Sequence, residues 1–126
     1  MNLRNPLATA RGLGSAKSGT GHWWAQRVSA VALIPLSLWF VISVLGLVRA
    51  DYAIVVDWLH MPSTAVLLSL FLATVFYHAY LGVQVVMEDY VDREWLKIGT
   101  LLVIKFACIL LAAVGVFTAL RIAFGA

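Results

Sequence analysis

Three stretches of the chain, residues 28–48, 63–87 and 98–122, are almost continuously apolar, and polar residues collect between them. A hydrocarbon core of ~30 Å takes ~20 residues of helix at 1.5 Å rise each, so the pattern predicts three membrane-spanning helices. The first contains Pro35, whose missing N–H predicts a mild kink that neighbouring helices or waters make tolerable in lipid. The connection 49–62 carries Asp51, Asp57 and the turn-forming pair Met61-Pro62, and the connection 88–97 is dense in charge. Both are too short to be domains. The first 20 residues are rich in Gly, Ser, Ala and Asn, carry Arg4, Arg11 and Lys17, and lack the apolar run of a secretory signal. Residues 1–26 therefore read as a basic cytoplasmic tail and residues 27–126 as a three-span membrane domain, an all-α membrane protein.

Composition excludes the alternative of a soluble domain. Of 126 residues, 63% are hydrophobic and 12% charged, and the mean hydropathy is +0.95, more apolar material than a core of this size can hide from water. Lysine and arginine set the orientation, because positively charged loops stay cytoplasmic. With the N-terminus inside, Arg4, Arg11, Lys17, Arg27, Arg93 and Lys97 lie inside, against Arg49 and Arg121 outside. Trp23, Trp24 and Trp95 then fall at the inner interface and Trp58 at the outer one, as amphipathic indoles prefer. The net charge of +3 is thus a topology signal, with no distribution that suits nucleic acid. Cys108, the single cysteine, lies in an apolar run and reads as packing.

His78 is the unusual residue inside a span. It reads as a metal ligand or proton carrier at that depth, against a hydrogen-bonded structural role. An imidazole offers one nitrogen lone pair to a metal while the other nitrogen holds a carbonyl or water, the arrangement of an axial haem ligand. His22 and His60 lie near opposite interfaces and do not converge with it. At ~100° per residue Gly82 and Asp89 share the His78 face, and Gly82 leaves room there for something broad and flat. Ala65, Ser69 and Ala73 form a small-residue stripe on the opposite face, and Gly115, Ala119 and Ala123 a comparable one on the third span; both suit helix packing. Asp89 and Tyr90 close the second span. With Arg27, which by topology alone can lie at the same membrane depth, they suit the polar head of a lipid-soluble carbonyl compound, or else Tyr90 belongs to the aromatic belt and the carboxylates to a solvated turn. Lys105, within the third span, either snorkels or pairs with Glu88 or Asp89.

The segment Ser15-Ala16-Lys17-Ser18-Gly19-Thr20-Gly21-His22-Trp23-Trp24, the run Gln26-Arg27-Val28-Ser29-Ala30, and His78-Ala79-Tyr80-Leu81-Gly82 followed by Glu88-Asp89-Tyr90 resemble the small hydrophobic anchor (D) subunit of bacterial succinate dehydrogenase, complex II. The resemblance covers nearly the whole chain, and the spacing from His78 to Asp89 and Tyr90 is its most specific part. It implies a helix bundle formed with a second anchor, the C subunit, in the bacterial inner membrane. His78 would be one axial ligand of a haem b iron shared with that subunit, with Gly82 giving clearance and Arg27 near the propionates or the quinone site. Tyr90 would hydrogen-bond ubiquinone, with Asp89 beside it. His22 resembles a histidine sometimes found near the propionates, and Lys105 has no counterpart in the pattern.

The activity implied is reduction of ubiquinone by electrons from succinate, linking the tricarboxylic acid cycle to electron transport through a flavoprotein and an iron–sulfur subunit. With no dinucleotide fingerprint and no cysteine set for a cluster, this chain would serve that enzyme without oxidising succinate itself. The competing readings are the anchor of a related fumarate reductase, and a non-redox three-span transporter or assembly component.

Overall fold

A computed structural model describes residues 19–125, and among these every regular element is a helix. Helix α1 spans Gly19–Leu47, α2 Tyr52–His60, α3 Pro62–Tyr90 and α4 Glu94–Ala123. α1, α3 and α4 are each long and apolar enough to cross a membrane. α1 begins within the segment read as tail, and the rest of that tail lies outside the described residues. α1 runs through Pro35 without a break. Two residues on, the Ser37 hydroxyl donates to the Leu33 carbonyl, a local side-chain bond of the kind that serines make inside apolar helices.

α3 lies in the middle, packed against α1 on one side and α4 on the other. Paired residues fix the registers. Gln26 and Ser29 of α1 meet His78, and Phe40 stacks on Phe71 with ring centroids 4.7 Å apart, so α1 and α3 are antiparallel. On the other side Lys105 of α4 lies over the Tyr80 ring, and Gly115 faces Leu72. A Cβ at Gly115 would stand 3.0 Å from a Leu72 methyl, so that flexible side chain would have to give by a few tenths of an ångström to admit one. The buried residues among those described are Ser29, Thr64, Ala65, Leu81 and Ala119, mostly small, as expected where close backbone approach replaces the hydrophobic effect as the cause of helix association. Most large apolar side chains face outward, toward lipid or another protein.

Two sequence readings change here. The connection 49–62 is not only a turn: it contains α2, which packs on α3 and α4 and stacks Trp58 on Trp39 at 6.0 Å. The β-branched run Ile54-Val55-Val56 hid this helix, because such residues favour strands in isolation and only packing decides otherwise. The two faces of α3 are also used differently from the reading of His78 opposite a packing stripe. The His78 face meets α1, whereas of the Ala65, Ser69 and Ala73 stripe only the Ala65 end is buried and Ala73 is exposed. The two long helices beside α3, α1 and α4, take the flanks on which His78 and Leu72 lie.

Candidate functional site

His78 is held from α1. Its Nδ1 is 2.9 Å from the Ser29 hydroxyl oxygen, and that hydroxyl donates to the Ala25 carbonyl at 2.7 Å. With the serine proton committed to a backbone carbonyl, Oγ accepts from Nδ1–H, which assigns the tautomer and leaves the Nε2 lone pair as the ring's acceptor. Ser29 is itself buried, so the bond is shielded from competing water. The Gln26 amide nitrogen lies 3.4 Å from His78 Nε2, a long contact for a hydrogen bond. The same amide nitrogen covers Gly82, where an added Cβ would stand 3.8 Å away, an ordinary van der Waals distance.

Two buried polar atoms on this part of α1 have no partner: Gln26 Oε1, on the side chain that reaches His78, and His22 Nε2, one turn of helix before it. His22, Gln26 and Ser29 follow one another at four- and three-residue steps along one face of α1, so a single stripe carries them toward α3. Sequence reasoning assigned no role to Gln26 or Ser29. The available signal was that stripe, uncharged polar side chains at helical spacing inside an apolar helix, opposite the one histidine within a span. Among the described residues no three His, Cys, Asp or Glu side chains converge.

The remaining predicted site residues sit elsewhere. Tyr90 ends α3 and is 82% exposed, with Asp89 exposed beside it, while Glu88 accepts a hydrogen bond from Gln84 at 2.8 Å. Arg27 lies over the Trp23 ring at 5.4 Å. The α1–α3 register puts Arg27 near the level of His78 and Tyr80, about 15 Å of helix from Asp89 at 1.5 Å per residue. The arrangement of Arg27, Asp89 and Tyr90 at one depth is therefore not formed within this chain: Arg27 belongs to the histidine level, and Asp89 and Tyr90 to the helix end. Lys105 pairs with neither Glu88 nor Asp89 and instead rests 5.9 Å above the Tyr80 ring.

The family model for the succinate dehydrogenase/fumarate reductase transmembrane subunit matches residues 1–118. The chain belongs to that family. It is 36% identical over 109 residues to the succinate dehydrogenase hydrophobic membrane anchor subunit of Rickettsia bellii, covering 86% of this chain and 87% of the relative. The protein of the same name from Rickettsia conorii is 34% identical over 86% of each chain. That of Paracoccus denitrificans is 31% identical across 100% of this chain and 97% of its own. No solved structure matches. The resemblance drawn from the His78 to Tyr90 spacing and the Ser15 to Ala30 segment is thus borne out at the level of the family. A membrane anchor of this family with three apolar spans is a multi-pass protein of the inner membrane.

Proposed function

We propose that the chain anchors a succinate dehydrogenase to the membrane, supplies one axial histidine, His78, to a haem b shared with a second anchor subunit, and forms one wall of a ubiquinone-reduction site through Asp89 and Tyr90. The observation that carries the haem reading is the Ser29–His78 hydrogen bond, because a histidine whose Nδ1–H is fixed by a buried acceptor is the form that presents Nε2 to a metal. The donor chemistry fits the group. The Nε2 lone pair meets only a weak contact in the chain, and the Gln26 side chain that makes it carries a buried Oε1 without a partner. Arg27, at the same level, has the charge to face a propionate. When bound, haem would supply a one-electron carrier.

Each remaining step belongs to the chain's own side chains. Ser29 holds the ring of His78 in one tautomer. Tyr90, at the end of α3, donates its phenol O–H to a quinone carbonyl, which orients the head group and favours charge arriving on that oxygen. Asp89 orients a cation of a neighbouring subunit and passes a proton inward as each electron is added. Because Asp89 and Tyr90 are exposed on this chain, the other walls of the pocket come from the partner subunits, in this reading the second anchor and the iron–sulfur subunit, with a flavoprotein subunit beyond it. The N-terminus lies on the cytoplasmic side, which puts Tyr90 at the inner surface where those subunits dock. The family description covers fumarate reductases too, and the relatives' names favour the succinate-oxidising direction.

The test is a reduced-minus-oxidised spectrum of the complex purified through a tag on this chain, wild type against His78→Ala. A b-type spectrum in the wild type that is lost or shifted in the variant is expected. An unchanged spectrum and midpoint potential would make His78 a structural residue.

A further inference from the structure

Between α3 and α4, away from His78, runs a cleft of about 490 Å³ lined mainly by apolar surface, with Tyr77, Tyr80, Lys105, Cys108, Ile109 and Ala112 among its walls. Lys105 is the charge in it. The residue lies about 16 Å of helix beyond Glu94, well past Trp95 and Lys97, which mark the membrane surface at that end. The Cα–Cβ bond of a helical residue tilts toward the helix N-terminus, so a snorkelling lysine on α4 would extend toward that surface. Its ammonium instead rests 5.9 Å over the ring of Tyr80, itself about 15 Å of helix from the end of α3. It stays at depth, and among the described residues it meets no carboxylate.

From this we infer that the α3–α4 cleft receives a membrane-spanning helix of a different polypeptide, bearing an Asp or Glu that pairs with Lys105. A cation at this depth requires an anion or a polar cavity, and the cleft wall is nearly all apolar. A second copy of this chain does not supply the anion. Its six carboxylates are Asp51, Asp57, Glu88, Asp89, Asp92 and Glu94, all at the helix ends or in the connections. A phospholipid phosphate sits at the surface, whereas the ammonium rests over Tyr80 at depth. The floor of the cleft suits a helix: Ala73, Cys108 and Ala112 are small, which permits close backbone approach, and Tyr77 stands 51% exposed at its edge. This inference rests on the chain's working as an anchor within a multisubunit complex, and it adds a specific ion pair at a named depth.

The experiment uses native membranes containing the assembled complex. A photoreactive benzophenone amino acid in place of Ile109 is activated, and the adducts are identified by mass spectrometry. The expected adduct is one other polypeptide, cross-linked within a turn or two of an Asp or Glu inside a span. Lys105→Met then lowers the yield of intact complex roughly tenfold or more, since one partner of a buried pair is left unpaired. Lys105→Arg retains it. Exchanging the charges, Lys105→Asp together with lysine at the partner's carboxylate, restores it. Adducts to phospholipid alone, or to a helix with no acidic residue near the cross-link, would overturn the inference. So would a Lys105→Met complex as stable as wild type or more so, the outcome for a lysine facing lipid, where removing the charge relieves a cost. Co-purification of the catalytic subunits with this chain is read in the same membranes, so a failed ion pair and a failed anchor reading give different results.

Discussion

Ser29→Ala removes one oxygen atom, and the structure says what that atom holds. Oγ accepts from His78 Nδ1–H at 2.9 Å and returns its own proton to Ala25 at 2.7 Å, in a buried position. The Ala25 carbonyl keeps its helical bond, so the loss falls on the histidine. Leaving a buried donor unpaired costs about 1–3 kcal/mol, a factor of roughly 5 to 150 in any equilibrium that needs that tautomer. The ring also has an escape. Gln26 Oε1 is buried without a partner, and a turn of the amide brings it to Nε2, where it accepts if the imidazole moves its proton there. That escape removes the lone pair a metal needs.

The assay is the haem-to-flavin ratio of the purified complex with the haem midpoint potential, wild type against Ser29→Ala and Ser29→Thr. Ser29→Ala is expected to lower haem affinity about tenfold to a hundredfold, the usual weight of a hydrogen-bond partner behind a ligating histidine, and Ser29→Thr to retain most of it. Blocking the escape with Gln26→Met in the Ser29→Ala background is expected to recover part of the loss. A Ser29→Ala complex with wild-type haem content and potential would refute the assignment of Nδ1 as the anchored donor.

Four further outcomes are expected. His78→Ala lowers haem content or shifts its spectrum while succinate oxidation with an artificial acceptor persists, which separates the electron entry from the membrane step. Tyr90→Phe weakens ubiquinone reduction about threefold to a hundredfold in complexes of equal haem and flavin content, and Asp89→Asn slows it as well; wild-type turnover in both would remove this helix end from the quinone site. Gly115→Val drives a branched side chain into Leu72 and costs about 1–3 kcal/mol, read as a lower thermal midpoint of the complex, whereas Gly115→Ala needs only a turn of the leucine methyl and changes it little. Arg27→Gln lowers the haem midpoint potential, because removing a positive charge makes the added electron less favourable; an unchanged or raised potential would place Arg27 away from the haem.

The spans were legible in the sequence because an apolar run of membrane length would be insoluble in any other setting, and the structure carries α1, α3 and α4 through all three of them. His78 stood out in the sequence because a titratable group in a span is costly, and Asp89 and Tyr90 because they close the same helix at fixed steps from it. What could not be read was anything that depends on a second helix. Gln26 and Ser29 look ordinary in α1 until the antiparallel register brings them to His78, and the register is set by pairs such as Phe40 with Phe71 that periodicity does not reveal. The same register separates Arg27 from Asp89, although topology alone allowed them one depth. α2 escaped because nine residues are too few for a helix to announce itself without the surfaces of α3 and α4 to pack on.

The two registers together have an electrostatic consequence. Arg27 on α1, His78 and Tyr80 on α3, and Lys105 on α4 occupy nearly one level of the bundle, so two cations flank the histidine and none of the chain's carboxylates lies among them. Arg27 relieves its position by lying over Trp23, toward the start of α1, while Lys105 has only the face of Tyr80, a contact worth about 0.5–2 kcal/mol. Such a layer is a poor end state for a chain alone in lipid and a good receptor for anions brought by others. Propionates on the Arg27 side and a carboxylate on the Lys105 side would neutralise it from opposite flanks of α3. In that arrangement assembly would add negative charge to this layer from two directions, and full stability of the chain would require both.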